Sequence, residues 1–157
     1  MKPKYIDYYM KIAGLTSELS SAQRLQVGAV IVRENQILAT GYNGMPAGWD
    51  NVCEMTLPEE ESVNIETRTI TVIPERTVTR PEVLHAESNA ITKVASSTES
   101  SKGATIFCTH APCIECAKLI YQSGISSLYY RDTYRDDAGI KFLEKSGVHV
   151  TKHVPND

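Results

Sequence analysis

Ala104-Thr105-Ile106-Phe107-Cys108-Thr109 leads into His110-Ala111-Pro112-Cys113-Ile114-Glu115-Cys116, and this stretch decides the fold. Its first six residues form a mostly apolar run with β-branched and aromatic members, which predicts a central strand. Pro112 suits the first turn of a helix, which we predict from Cys113 to Gln122, closed by Ser123-Gly124. The stretch is therefore a strand-to-helix unit of an α/β fold.

The same alternation continues toward the end of the chain. Strands are predicted at 127–131 and 148–151, with a helix at 136–145 between them. Helices of about ten residues that join consecutive strands return the chain to the same edge of a sheet. We therefore predict that the last three strands are parallel.

The part of the chain before this unit supplies a hairpin and two helices. Apolar residues at three-to-four spacing predict a helix over residues 3–20, and a second helical pattern runs from 85 to about 96. Residues 27–33 are an apolar, β-branched run typical of a buried strand, and 36–42 read as its hairpin partner across Glu34-Asn35.

Together these elements predict one domain over residues 1–157. Its expected fold class is α/β, with three α/β/α layers around a five-stranded mixed sheet. Residues from about 52 to 82 fit none of these elements, and we interpret them as an insertion. Within it, Thr69–Ile73 and Thr77–Thr79 have strand-like composition around Pro74-Glu75-Arg76, which predicts a hairpin.

Composition narrows the classes of function. The formal net charge is −3, without the basic stripe that a nucleic-acid reader carries, so we expect a small substrate and no nucleic-acid partner. No stretch approaches the ~20 apolar residues of a membrane helix, so we expect no membrane partner. Four cysteines without a secretory signal favour reduced thiols and a cytoplasmic location.

Three potential metal ligands and one potential proton carrier stand out. His85 and the pair Cys113 and Cys116 are ligand types that Zn²⁺ prefers, and three protein ligands leave its fourth position open for water, as in catalytic sites. Glu87 lies two residues after His85. On a helix the two would point about 200° apart, so we expect them to converge beyond its N-terminal end.

The formal charge of the predicted zinc site indicates a role for Glu87 as a base. Zinc with one neutral histidine and two thiolates carries a formal charge near zero, so it should acidify water less than a site with three histidines. A nearby base that is not a ligand would then be needed, and Glu87 fits that role as general acid and base.

Two other readings of the cysteine pair stay open at this point. A Cys-x-x-Cys pair is often structural or redox-active. A closed structural zinc would need a fourth ligand, which could come from Cys53, Cys108, His110, His149 or His153.

His85-Ala86-Glu87 followed by Pro112-Cys113-Ile114-Glu115-Cys116 resembles the signature of zinc deaminases that act on cytosine or adenine. Together with Val27-Gly28-Ala29-Val30-Ile31 and the loop Gly41-Tyr42-Asn43-Gly44-Met45-Pro46-Ala47-Gly48, the chain looks like a deoxycytidylate (dCMP) deaminase. The resemblance implies hydrolysis of dCMP to dUMP and ammonia, which feeds thymidylate synthesis. It also implies a homohexamer that dCTP activates and dTTP inhibits, with Mg²⁺ on the effector triphosphate.

The resemblance also implies roles for individual residues. Asn43 would contact the nucleoside, while Ala86, His110 and Ala111 would line the base pocket. Ser21, Arg24 and Tyr134 would bind the 5′-phosphate. For Arg24 there is a physical reason, since a guanidinium binds phosphate in fork geometry, although an arginine there could also be a solvated surface residue. The effector element would consist of Asn43, Gly44, Met45, Pro46, Ala47 and Gly48.

Some residues depart from the family, and other functions remain possible. Ala22 stands where some relatives carry a cysteine for a second zinc, so Cys53 lacks an obvious thiolate partner and we predict one zinc per chain. Alternative substrates are free cytidine, guanine and adenosine in tRNA. An alternative of a different class is a catalytically inactive, zinc-stabilised binding module, against which the presence of Glu87 argues.

Overall fold

A computed structural model describes residues 1–155 of the chain. Its helices and strands, numbered in chain order, are α1 (Pro3–Ser17), β1 (Gly28–Arg33), β2 (Gln36–Tyr42), β3 (Glu54–Leu57), β4 (Glu60–Asn64), β5 (Thr69–Ile73), β6 (Arg76–Thr79), α2 (Ala86–Ala95), β7 (Thr105–His110), α3 (Ile114–Gln122), β8 (Ser127–Asp132), α4 (Ala138–Lys145) and β9 (His149–Lys152). Asn156 and Asp157, which the predicted domain includes, lie outside the described residues.

A five-stranded sheet with the order β2-β1-β7-β8-β9 forms the centre of the molecule. β1 pairs antiparallel with both β2 and β7, whereas β7, β8 and β9 are parallel. The predicted mixed sheet and its three parallel strands are confirmed. Glu34 and Asn35 both have positive φ, so the β1–β2 hairpin turns through the two left-handed residues that match strand twist.

Helices cover both faces of this sheet, which explains why β1 is apolar at nearly every position. Ala29 and Ile31 belong to the core on the face of α2, α3 and α4. Val30 and Val32 belong to the core on the opposite face, where α1 packs. The three-layer α/β/α fold is therefore confirmed, with three helices in one outer layer and one helix in the other.

The ends of several elements differ from the predicted ones by a few residues. α1 ends at Ser17 rather than at residue 20. The predicted helices from 85 and 113 begin one residue later, because His85 and Cys113 have extended backbone conformations and are N-cap residues. That shift matters for the site, since it moves both side chains to the ends of their helices.

The predicted insertion contains a β-arm, made of β3 to β6 (residues 54–79), and the predicted hairpin within it is wrong. β5 pairs with β4 and β6 pairs with β3, both antiparallel, so β5 and β6 do not pair with each other. The pairs Leu57–Arg76 and Glu60–Ile73 belong to one continuous register. Proline lacks the backbone N–H that a strand ladder needs, and Pro58 and Pro74 lie where the ladder is interrupted. The strand-like segments therefore pair across the arm, not around Pro74.

Within residues 1–155, no helix combines the length and apolar character that crossing a membrane requires.

Candidate active site

Two helix N-termini bring the predicted metal ligands together. His85 is the N-cap of α2 and Cys113 is the N-cap of α3, and neither side chain is used in a capping hydrogen bond. His85 Nδ1 lies 3.6 Å from Cys113 Sγ and 3.3 Å from Cys116 Sγ. The positive ends of both helices therefore face one group of ligand atoms, which favours thiolate there.

Close backbone approaches fix the positions of these helices. A Cβ atom on Gly41 of β2 would overlap the carbonyl oxygen of Ala86, in the first turn of α2. A Cβ atom on Gly139 of α4 would overlap the carbonyl oxygen of Pro112, in the loop before α3. Both glycines therefore allow a neighbouring element to lie against a ligand-bearing segment.

The geometry of the three ligand atoms fits zinc. All three lie within 4.8 Å of one another. Bonds of about 2.3 Å to sulfur and about 2.0 Å to nitrogen, at tetrahedral angles, separate N and S ligands by about 3.5 Å, close to the two observed distances. No further His, Cys, Asp or Glu in residues 1–155 joins this group, so the structure offers none of the fourth ligands that a closed structural site would need.

The remaining cysteines lie apart from this group. Cys108 is completely buried in the core between β7 and the helices, where burial raises its pKa well above the ordinary value. Cys53 is buried in a small cluster with Ala22 and Val83, against which Met45 packs. Both behave as small apolar residues in these surroundings.

The electrostatics of the ligand group favour the thiolate form of Cys113. Hydrogen bonds from the Cys116 thiol and His85 lower the pKa of Cys113 to about 3. The same hydrogen bond to Cys113, together with burial, raises the pKa of Cys116, and the hydrogen bond with Cys113 raises the pKa of His85. Because metal ligands bind as thiolates and a neutral imidazole, a cation bound here would release the protons that the group holds.

Glu87 lies in the first turn of α2 and is 4% exposed. Burial raises the pKa of its carboxyl group above the ordinary value, and the charge of His85 partly offsets this. A buried carboxyl with a raised pKa can hold a proton closer to neutral pH than a surface carboxyl can. Its position and protonation equilibrium suit a proton carrier.

A cavity of about 430 Å³ opens at this group. That volume is in the range of small-molecule sites. The predicted site residues that line it are Arg24, Asn43, His85, Ala86, Glu87, His110, Ala111, Cys113 and Tyr134. Ser21 is exposed and is not among the lining residues, and the buried Cys116 contributes to the ligand group from behind the cavity wall.

Asn43 organises the cavity wall through its side-chain amide. Its Oδ1 accepts a hydrogen bond from the Val27 backbone N–H at 2.8 Å, and its Nδ2 donates to the Leu25 carbonyl at 2.8 Å. The buried Ser20 hydroxyl, which the sequence did not single out, donates to the Asn43 carbonyl at 2.7 Å. Asn43 therefore holds the loop before β1 in place, and it has one lone pair and one N–H left for a ligand.

His110 and Ala111 connect the ends of neighbouring strands. The Ala111 backbone N–H donates to the Asp132 carbonyl at 2.8 Å, so this N–H is already used. His110 Nδ1 lies 3.1 Å from the Thr109 hydroxyl. Burial lowers the pKa of His110, with Asp132 acting in the opposite direction, so the neutral ring is favoured at the cavity.

The glycine-rich loop lies next to the ligand group along the chain. Gly44 and Leu84 form a two-hydrogen-bond bridge, with distances of 3.1 and 2.8 Å, one residue before His85. Gly48 has φ of 86°, a conformation that favours glycine. Ala47 and Gly48 are exposed, whereas Met45 packs against the Cys53 cluster.

Sequence reasoning missed several lining residues, notably Glu54, Thr79, Thr133 and Arg135. Glu54 and Thr79 belong to the arm, and no local pattern shows that its base lies at the cavity. Arg135 could have been found from the sequence, because it is a cation that directly follows Tyr134. In the structure its guanidinium lies 5.7 Å from that ring.

A His-x-Glu pair and a Pro-Cys-x-x-Cys segment that meet at two helix ends beside a cavity define a zinc-dependent deaminase site. The family described as the cytidine and deoxycytidylate deaminase zinc-binding region matches residues 3–131. The chain belongs to this family, and the resemblance predicted from the motifs is confirmed.

Individual relatives agree with this assignment. The deoxycytidylate deaminase of Saccharomyces cerevisiae is 34% identical over 154 residues, which are 96% of this chain and 45% of that protein. The human deoxycytidylate deaminase is 35% identical over 95% of this chain and 79% of its own length. The dCMP deaminase of cyanophage S-TIM5, solved in complex with dCMP and dUMP, is 42% identical with a TM-score of 0.80, over 98% of this chain and 99% of that one. The chain thus spans less than half of the yeast relative but nearly all of the phage protein.

Proposed function

We propose that the protein deaminates dCMP hydrolytically to dUMP and ammonia. The observation that carries this proposal is the buried carboxylate of Glu87 next to three zinc-type ligand atoms in one cavity. The family, and relatives named for this activity, support the same conclusion.

The residues of this chain divide the chemistry among them. His85, Cys113 and Cys116 would hold one zinc ion per chain, which would supply Lewis acidity to activate a water molecule. Glu87 accepts one proton from the attacking water and passes it to the ring nitrogen N3. It then takes the second proton of the same water from the hydroxyl at C4 and passes it to the leaving amino group. Oxygen replaces nitrogen at C4, and the C4–N bond breaks. The buried position of Glu87 excludes bulk water from this transfer.

Other lining residues bind the nucleotide. Asn43 would contact the nucleoside with its remaining hydrogen-bonding capacity, while Ala86, His110 and Ala111 line the space for the base. Within residues 1–155, Arg24 has no acidic ion-pair partner, although its guanidinium lines the cavity. An unpaired guanidinium suits the 5′-phosphate, with Tyr134 and the hydroxyl of Ser21 as further phosphate ligands. Ser21 would have to turn toward the cavity to take that role.

We also propose regulation through the glycine-rich loop from Asn43 to Gly48, by dCTP as activator and dTTP as inhibitor, each with Mg²⁺. Two contacts of this loop support the proposal. Gly44 is bridged to Leu84, the residue before His85. Asn43 is hydrogen-bonded to the loop that carries Arg24. A shift of this loop would therefore move both metal and phosphate ligands. If dCMP turnover at subsaturating substrate stays unchanged over a wide range of dCTP and dTTP concentrations, this regulation is absent.

The remaining features of the proposal follow the family resemblance. They are a homohexamer and the supply of dUMP for thymidylate synthesis. Chain length, composition and charge support the other features, which are a single domain with an insertion, a cytoplasmic location, and no nucleic-acid or membrane partner. Light scattering coupled to size-exclusion chromatography measures the assembly directly, and a mass other than six chains contradicts the hexamer.

The deciding experiment follows the loss of cytosine absorbance with dCMP, dCTP, cytidine and deoxycytidine in parallel. We expect efficient turnover of dCMP only. Efficient turnover of cytidine would identify a nucleoside deaminase instead. No turnover of any of the four by zinc-loaded protein would favour a binding module or another substrate.

A further inference from the structure

The base of the β-arm contacts the loop that carries Arg24. Glu54 on β3 and Thr79 on β6 are directly paired in the arm, and both line the cavity. Each makes a hydrogen bond to the loop between α1 and β1. The insertion is therefore part of the cavity wall as well as a projection from the domain.

Glu54 holds the backbone of this loop. Its Oε1 accepts hydrogen bonds from the backbone N–H groups of Gln23 and Arg24, at 2.9 and 3.2 Å. Carboxylate bonds to backbone N–H groups are among the stronger hydrogen bonds in proteins. Residues 18–27 contain no helix or strand, so the segment depends on bonds of this kind for its order. Asn43 and Ser20 hold other parts of it.

Thr79 holds the side chain of Arg24, whose backbone Glu54 binds. Its hydroxyl accepts a hydrogen bond from Arg24 Nη1 at 3.3 Å. The Glu54 carboxylate is bonded to the backbone and forms no ion pair with the guanidinium among residues 1–155. The arm therefore fixes Arg24 through a neutral group and leaves its positive charge available to a ligand.

We propose that Glu54 and Thr79 are positioning residues for the 5′-phosphate, acting through Arg24, and that they help the enzyme to select nucleotide over nucleoside. This inference rests on the proposed deamination of dCMP. An exposed arginine side chain samples many rotamers. Holding its backbone and one guanidinium nitrogen in advance lowers the entropy lost when phosphate binds.

Thr79→Val tests the side-chain contact, because it keeps the shape of the residue and removes the acceptor. We expect KM for dCMP to rise about 3- to 10-fold, which is the range of an ordinary net hydrogen bond. We expect kcat to change little, and kcat/KM for deoxycytidine to stay the same. Thr79→Ser, which keeps the hydroxyl, should restore KM.

The matched control is Thr77→Val on the same strand, at a residue that does not line the cavity. Thr77→Val should leave both substrates unaffected. A Thr79→Val protein that loses dCMP and deoxycytidine turnover equally would show a purely structural role and overturn the proposal. An unchanged KM for dCMP would also overturn it.

Glu54→Ala tests the backbone contact, and we expect KM for dCMP to rise about tenfold. Glu54→Gln keeps an acceptor oxygen, so its KM for dCMP should lie between those of Glu54→Ala and the native protein. A fall in KM for Glu54→Ala would mean that the carboxylate mainly repels phosphate, against the proposal.

A double-mutant cycle isolates the mediating residue. In an Arg24→Gln background, Thr79→Val should have almost no further effect on KM for dCMP, because the two changes remove one interaction. Additive effects would show that Thr79 does not act through Arg24. Failure of the proposed function gives a different result from failure of this inference. If the proposed function is wrong, the native protein itself does not deaminate dCMP.

Discussion

Replacing Glu87 by glutamine tests the chemical centre of the site. Glutamine has nearly the same shape and keeps hydrogen-bonding groups, but it cannot accept and return a proton. Glu87 is 4% exposed and lines the cavity beside His85 and Cys113, so bulk water cannot easily take over the transfer. General acid–base catalysis typically contributes 10²–10⁴-fold, and we expect kcat to fall by about that factor, which corresponds to roughly 3–5 kcal/mol.

The assay combines steady-state dCMP turnover with metal analysis and thermal unfolding. Because Glu87 is not among the three clustered ligand atoms, zinc content should stay at one per chain and the protein should remain folded. Glu115→Gln is the matched control, since Glu115 is an exposed acid in the same Cys-x-x-Cys segment, paired with Lys118 at the surface. We expect it to have native turnover.

Two results would refute the reasoning. A Glu87→Gln protein with more than about a tenth of native kcat would show that the carboxylate is not the proton carrier. A variant that loses zinc together with activity would show that Glu87 supports the metal, and the drop in kcat could then not be assigned to proton transfer.

Three further perturbations test the structure around the site. Gly41→Ala should lower the free energy of unfolding by about 1–3 kcal/mol, because its Cβ would overlap the first turn of α2. Gly14→Ala in α1 has room for the Cβ and should raise the free energy of unfolding by about 0.5–1 kcal/mol. Urea unfolding measures both. Chelation of zinc should make Cys113, which is only partly buried, reactive toward a thiol reagent in the folded protein, while the buried Cys53 and Cys108 stay slow. Replacing residues 58–75 by a two-residue Asn-Gly turn should leave the fold and kcat/KM for dCMP unchanged, because nearly all of this outer arm is exposed and the pair Leu57–Arg76 can flank such a turn.

Each of these expectations has a contradicting outcome. Equal stabilities of the two glycine variants would mean that α2 can move away from β2 at no cost. Four fast thiols after chelation would show that the fold depends on the metal, and metal analysis that finds two zinc ions per chain would contradict the single-site prediction. Loss of dCMP turnover without unfolding in the shortened protein would show that the outer arm takes part in function.

The sheet could be predicted from the sequence because burial on both faces leaves a simple signal. β1 is apolar at consecutive positions, and the helices between β7, β8 and β9 fix their direction through the handedness and length of the crossovers. The ligand group could be predicted because its spacing is tied to chemistry, not to a particular position in the fold.

The arm could not be predicted, since its pairing depends on register over some distance along the chain. Thr69–Ile73 and Arg76–Thr79 have strand composition, and a local reading pairs them around the proline between them. In the structure, one register runs through Pro58 and Pro74. The hydrogen-bond ladder is interrupted there, but β3 stays opposite β6 and β4 stays opposite β5. The roles proposed for Glu54 and Thr79 depend on that pairing, so the sequence alone does not show them.

The two ligand-bearing N-caps suggest a more general reading of such sequences. Helix N-caps favour Ser, Thr, Asp or Asn, and other residues there cost about 1 kcal/mol. His85 and Cys113 occupy these positions without capping bonds, so their helices forgo this stabilisation. Structural zinc binding can contribute about 10–16 kcal/mol in small domains, which is large enough to offset two missing caps. Within residues 1–155 no helix has a side-chain capping hydrogen bond, so a missing cap alone does not mark a site. What sets α2 and α3 apart is that their N-cap residues are metal-ligand types that meet at one point, where function can account for breaking a local rule.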